Sequence, residues 1–175
     1  MLSRIAFASL AAMAVMALPA AAQTTGTTAS PTATNAQDFV TQAAMSDMFE
    51  IQSGKLAEKK SGAKSTDQLA KHLVQDHTKS SKQLQSLAQK AGVSAPMPTK
   101  LDDRHQQMLD QLNQANKGDF DKLFAQMQVQ AHQEGIALFQ SYAQSGDNAQ
   151  LKQFAQKGLP TLKEHLSMSE KLQTK

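Results

Sequence analysis

From Phe39 to Leu172, apolar side chains return every three or four residues, and no stretch alternates with the two-residue period of a strand. That periodicity commits the chain to helices packed side by side. One segment carries it most clearly: Leu69, Leu73, Ser80, Leu84, Leu87 and Ala91 form a stripe, and His77, four residues after Leu73, lies inside it. A titratable imidazole stands where a leucine would fit.

The first residues have the layout of a secretory signal. One positive charge at Arg4 precedes an apolar run, Ile5 to Leu18, and Pro19-Ala20-Ala21-Ala22 ends in small residues, so cleavage before Gln23 is expected. The run is shorter than the ~20 residues that span a bilayer, and no later segment is continuously apolar. Removing residues 1–22, among which Arg4 is the only charge, leaves 153 residues with a net charge of +2. Basic and acidic residues are interspersed along the helices, which speaks against nucleic acid as a partner. The sequence contains no cysteine, so an exported fold must stand on its core, and thiolate chemistry is excluded. Residues 23–35 are rich in Thr, Ala, Gly and Pro and read as a flexible linker.

The domain then occupies residues 36–173. Asn35 offers an N-cap oxygen to a first helix ending near Lys60, whose inward face carries Phe39, Ala43, Glu50, Gly54 and Ala57. Ser61 to Lys64 make a turn, Ser65 and Gln68 resemble a capping box, and Gly92 ends the second helix. Two prolines in Val93 to Lys100 impose a crossover loop. Asp102 or Asp103 opens a short helix that breaks at Asn116-Lys117-Gly118, and a long helix follows to Gly146. From Leu151 to Leu172 the stripe keeps its phase across Pro160, which predicts one kinked helix rather than two. The expected fold is all-α: an up-down four-helix bundle with a kinked last helix and a short extra helix before the third.

Chemistry on this scaffold rests on few residues. His77 and His165 fall inside apolar stripes, His132 lies on the margin of one, and His72 and His105 are peripheral. With Glu50 and Asp76 they distribute carboxylates and imidazoles over all four long helices, and bundle interiors are where such groups build Zn, Fe or Mn sites. The bland alternative is a structural network of satisfied polar groups. Adjacent helical residues point ~100° apart, so Asp76 and His77 cannot share one ion; Asp76 is a supporting neighbour. No Glu-x-x-His pair is present, which argues against a di-iron oxidase. Met45 and Met48, at helical spacing, read as packing rather than as a soft copper site, and the Lys59-Lys60 pair as a solvated face.

Read together, several runs resemble the bacterial family catalogued as domain of unknown function 4142. They are Ala43-Ala44 through Glu50-Ile51, Gly54-Lys55-Leu56-Ala57, Asp76-His77-Thr78-Lys79, His132 with Leu138-Phe139, Leu151 to Ala155, and Leu159-Pro160 with His165. The resemblance covers roughly Ala36 to Leu172 and implies a ferritin-like helical bundle in an exported protein. Its motif positions coincide with Glu50, Asp76, His77, His132 and His165. Members carry outer-membrane labels, but the strands of a barrel have no counterpart here.

The function expected from these features is that of a non-enzymatic, periplasmic binding or envelope stress-related module, with peripheral association with the outer membrane as an option. Its partner would be an envelope component or a small ligand. The alternative is a ferritin-like metal protein holding iron, zinc or manganese at Glu50, His77, His132 and His165.

Overall fold

The computed structural model describes residues 33–174, and the predicted signal segment lies outside them. Within them the chain is all-α. Five helices follow one another: α1 (Ala36–Lys60), α2 (Lys64–Lys90), α3 (Asp103–Gln114), α4 (Lys117–Ser145) and α5 (Ala149–Gln173).

Local sequence sets their ends. Asn35 accepts the Asp38 N–H and starts α1, Asp102 accepts the His105 N–H and starts α3, and Asn116 accepts from Gly118 and Asp119 to start α4. Each is a short side chain satisfying donors that the first turn leaves free. The expected Ser65–Gln68 capping box does not form: α2 begins two residues earlier, with Ala63 at its N-cap and no side-chain bond. Here the turn is held from outside, because Asp121 of α4 accepts from the Ser61 hydroxyl and the Gly62 N–H. Gly92, at φ 66°, takes the left-handed position that ends α2. Pro160 lies within α5, which runs unbroken through it as the periodicity required.

Short turns make α1 with α2, and α4 with α5, antiparallel hairpins, and the hairpins meet along α1–α4 and α2–α5. The middle connection departs from a simple up-down succession. Val93, Ala95 and Met97 pack at the end of the molecule where α2 finishes. Met108 and Leu112 of α3 pack at the other end, where α4 begins. The chain between α2 and α4 therefore travels the length of the bundle, and α4 runs in the direction of α2. Lys60 fastens the far end: its ammonium donates to the carbonyls of Leu112 and Ala115 and lies 5.7 Å from the Phe120 ring centre, a cation at a helix C-terminus rather than a solvated lysine.

The core is in two parts. One cluster holds Phe39, Val40, Ala43, Leu84, Leu138, Phe139, Tyr142, Leu151 and Ala155, with Phe39 stacked on Tyr142 at 4.1 Å. Ala33, in the stretch read as linker, is buried in it as well. The other cluster holds Ala57, Leu69, Leu73, Leu112, Phe120, Phe124 and Met127. Along every long helix, the residues between these clusters that are buried are mostly polar: Asp47, Glu50 and Ser53 on α1, His77 on α2, Gln128 and His132 on α4, His165 and Ser169 on α5.

Helices α1 and α2 approach closest at Gly54, where a Cβ would stand 2.9 Å from a Val74 methyl and 3.1 Å from the Ala70 carbonyl oxygen. Backbone cannot yield there as a flexible side chain would. Gly54→Leu is expected to cost ~3 kcal/mol or more, the upper end of overpacking penalties. Urea unfolding of the variant beside the wild-type chain measures it.

Candidate metal centre

The polar layer has a definite centre. His77, His132 and His165 come from α2, α4 and α5, are all at most 5% exposed, and have ring centres 5.3 to 5.8 Å apart. One ring nitrogen from each lies within 4.8 Å of the others. His132, expected at the margin of its stripe, is 1% exposed. His132 is buried on α4, while its neighbour Ala131 is only partly buried.

Each imidazole is held by its other nitrogen. His77 Nδ1 is 2.8 Å from Asp47 Oδ1. His132 Nδ1 donates to the Gln128 carbonyl at 2.8 Å, and because a carbonyl only accepts, this bond fixes the tautomer and leaves a lone pair on Nε2. His165 Nε2 is 3.1 Å from Asp76 Oδ2. The three remaining nitrogens, His77 Nε2, His132 Nε2 and His165 Nδ1, are buried and have no hydrogen-bond partner. Histidines that ligate metals are oriented in this way, one nitrogen bound to a carboxylate or carbonyl and the other facing the ion.

The sequence-derived residues separate into roles. His77, His132 and His165 converge. Asp76 pairs with His165 rather than with its neighbour His77. Glu50 does not join the converging donor atoms. Its nearest imidazole atom in an ionic sense is His132 Nδ1 at 4.0 Å, the nitrogen already committed to Gln128. Asp47 is the residue sequence reasoning missed. It lies in the seven-residue gap of the α1 stripe between Ala43 and Glu50, four after the first and three before the second, and that spacing was the available signal. Met45 accepts from the Asp102 N–H, consistent with a packing and loop-holding role.

Electrostatics divides the layer. Burial pushes the His132 imidazole down to about 3, assisted by the nearby His77 charge, so it is neutral. Burial and the same neighbour also lower His165. For His77 burial acts downward, but the Asp47 hydrogen bond and the charges of Asp47, Glu50 and Asp76 outweigh it and raise the pKa. Burial pushes the Glu50 carboxyl up to about 7 against the attraction of the His77 charge. A cleft of about 810 Å³ reaches this layer from outside between α2 and α5, and Asp47, Asp76 and His77 are among its lining residues.

The comparisons with known proteins agree with this architecture. The profile of a family described as "Domain of unknown function (DUF4142)" matches residues 18–172, and the chain belongs to that family. Two solved structures are similar in fold. One, described as "CopM in the Cu(II)-bound form", is 16% identical with a TM-score of 0.68, covering 80% of this chain and 96% of that one. The other, described as a DUF305 fragment from Deinococcus radiodurans, is 13% identical with a TM-score of 0.68, covering 82% of this chain and 99% of that one. No curated protein matches the sequence.

Glu50 supplies a test of the electrostatics in metal-free protein. Its folded form keeps a proton to about pH 7, whereas the unfolded carboxyl ionises near 4.5. The folded state therefore binds more protons in that window, and this group withdraws stability as pH rises from 4.5 through 7. Glu50→Gln removes the dependence. With chelator present, the variant should exceed wild type by ~3 kcal/mol at pH 8 and equal it at pH 4; chemical denaturation at the two pH values reads the difference.

Proposed function

We propose that this chain is an exported, non-enzymatic metal-binding protein of the cell envelope. In this reading it is a four-helix, ferritin-like bundle whose polar layer holds one transition-metal ion through His77, His132 and His165. The observation that carries the proposal is the convergence of three buried imidazoles, one ring nitrogen of each within 4.8 Å of the others, with one nitrogen of each ring bonded from behind and the other without a partner. A purely structural network would satisfy both ends of a buried imidazole. Here one end of each is left without a partner.

The single crossover between hairpins is the connection found in ferritin-like bundles. The donor set distinguishes this site from the carboxylate-rich centres that suit iron or manganese: three imidazoles without a carboxylate oxygen favour copper, zinc or nickel, and the divalent series places Cu(II) highest. The similar fold described as CopM was solved in a Cu(II)-bound form, which supports copper as the first ion to try. Three protein ligands leave one position of a four-coordinate ion for an external ligand. Asp47 and Asp76 supply negative charge one bond behind the ligands, as outer partners that orient imidazoles do.

Metal analysis of the purified mature chain after Cu(II) loading is expected to give one ion per molecule. The His77→Ala, His165→Ala double variant should fall to background while keeping its helical circular dichroism. Equal metal content in the two proteins would overturn the ligand assignment. Asp47→Asn, which leaves all three ligands in place, should bind ~10- to 100-fold more weakly.

A further inference from the structure

The cleft that leads to the polar layer has a character of its own. Its walls are one face of α2, from Asp76 to Lys90, and one face of α5, from Gln150 to Leu162. Ala43, Ser46 and Asp47 of α1 and Gly135 and Phe139 of α4 close it from behind. Its volume, about 810 Å³, lies within the range of pockets that enclose small organic ligands.

Charge in this cleft is one-sided. Lys79, Lys82 and Lys90 project from α2 and Lys157 from α5, and among the described residues none of the four is ion-paired. The two carboxylates in the lining, Asp47 and Asp76, are already bonded to His77 and His165. Like charges facing each other across a seam oppose its closure. An anion between them would remove that opposition.

Apolar surface accompanies the charge. Leu87, Phe139, Phe154 and Leu162 also line the cleft, and the first and third of these are only partly covered by their own core. Helices α2 and α5 are antiparallel and joined at Asp76–His165. Counting outward from that bond brings Leu87 level with Phe154 and puts Lys157 within a turn of Lys82. Lys79, Lys82 and Lys157 thus lie between Asp76 and the Leu87–Phe154 level, with Leu162 level with Lys79 and Lys90 beyond Leu87. Gly158 gives the apolar portion its form, since a Cβ there would stand 2.8 Å from the Phe139 ring.

We infer that the α2–α5 cleft is a binding site for an amphipathic organic anion, a carboxylate head held by Lys79, Lys82 and Lys157 and an alkyl or aryl body lying on Leu87 and Phe154. Apolar contact supplies most of the affinity, and the lysines supply the selection for negative charge. The site is separate from the metal centre in its determinants, although both meet at His77. It does not depend on an ion being bound.

Isothermal titration of the mature chain with decanoate, with chelator in excess so that a bound ion cannot take up the carboxylate, tests this. Saturable binding near one molecule per chain is expected, weakening as ionic strength rises. Decanol and acetate, which each lack one half of the chemistry, should bind at least tenfold more weakly. Lys82→Glu with Lys157→Glu should reduce decanoate affinity at least tenfold, as should Phe154→Ala, while the Cu(II) stoichiometry of the charge-reversal variant stays at that of wild type. Decanol binding as tightly as decanoate, or decanoate affinity unchanged in the lysine variant, would overturn the assignment. Loss of Cu(II) binding with decanoate binding intact would count against the metal centre alone.

Discussion

A layer of polar side chains buried across the middle of the molecule is the constraint to which the rest of the structure answers. Seven side-chain atoms there have no partner, and leaving a buried polar atom unpaired costs ~1–3 kcal/mol. The sum approaches the whole stability of a domain of this size, ~5–15 kcal/mol. Such a layer persists only between strong apolar regions, and the two clusters lie on either side of it. One is built around the Phe39–Tyr142 stack and the other around Phe120 and Phe124. An ion coordinated by the three histidines would engage three of the seven atoms at once.

Much of the fold could be read from the chain because the signals were local. Helix ends depend on one or two residues, and Asn35, Asp102 and Gly92 act where their chemistry predicts, whereas Asn116 caps α4 ahead of the expected restart and Gly146 ends it at φ −61°. Continuity of α5 through Pro160 followed from the phase of its stripe. The failures were non-local. The start of α2 is secured by Asp121, about sixty residues further on, and Lys60 finds its partners at the end of α3. The direction of α4 depends on where the long connection packs, which no spacing within a helix encodes.

The same division separates what was legible of the site. Periodicity can place His77 and His165 inward, because leucines on either side define the face. It places His132 less well: α4 is apolar over a wide arc, so the phase is blurred by a residue. It passed over Asp47, since a carboxylate in an apolar stripe reads as a gap until the imidazole that accounts for it is seen. Convergence could not be read at all. That α2, α4 and α5 bring His77, His132 and His165 to the same height results from hairpin register and from the α2–α5 contact.

The opening of the polar layer to solvent at the α2–α5 seam follows from the composition of the facing surfaces. Helices α1 and α2 close tightly because Gly54 removes the side chain at their crossing, and α4 and α5 close around Phe139, Phe154 and Leu162. The α2 face opposite α5 carries lysines, serines and a glutamine after His77. Such a surface cannot desolvate against another helix without leaving charges unpaired. Among the described residues its one hydrogen bond to α5 is made by Asp76, whose side chain is 36% exposed while the His165 side chain it holds is 2% exposed. Asp76 thus stands at the boundary between solvent and the buried triad. The acidic partner nearer to water is the one that clasps the two helices beside the site.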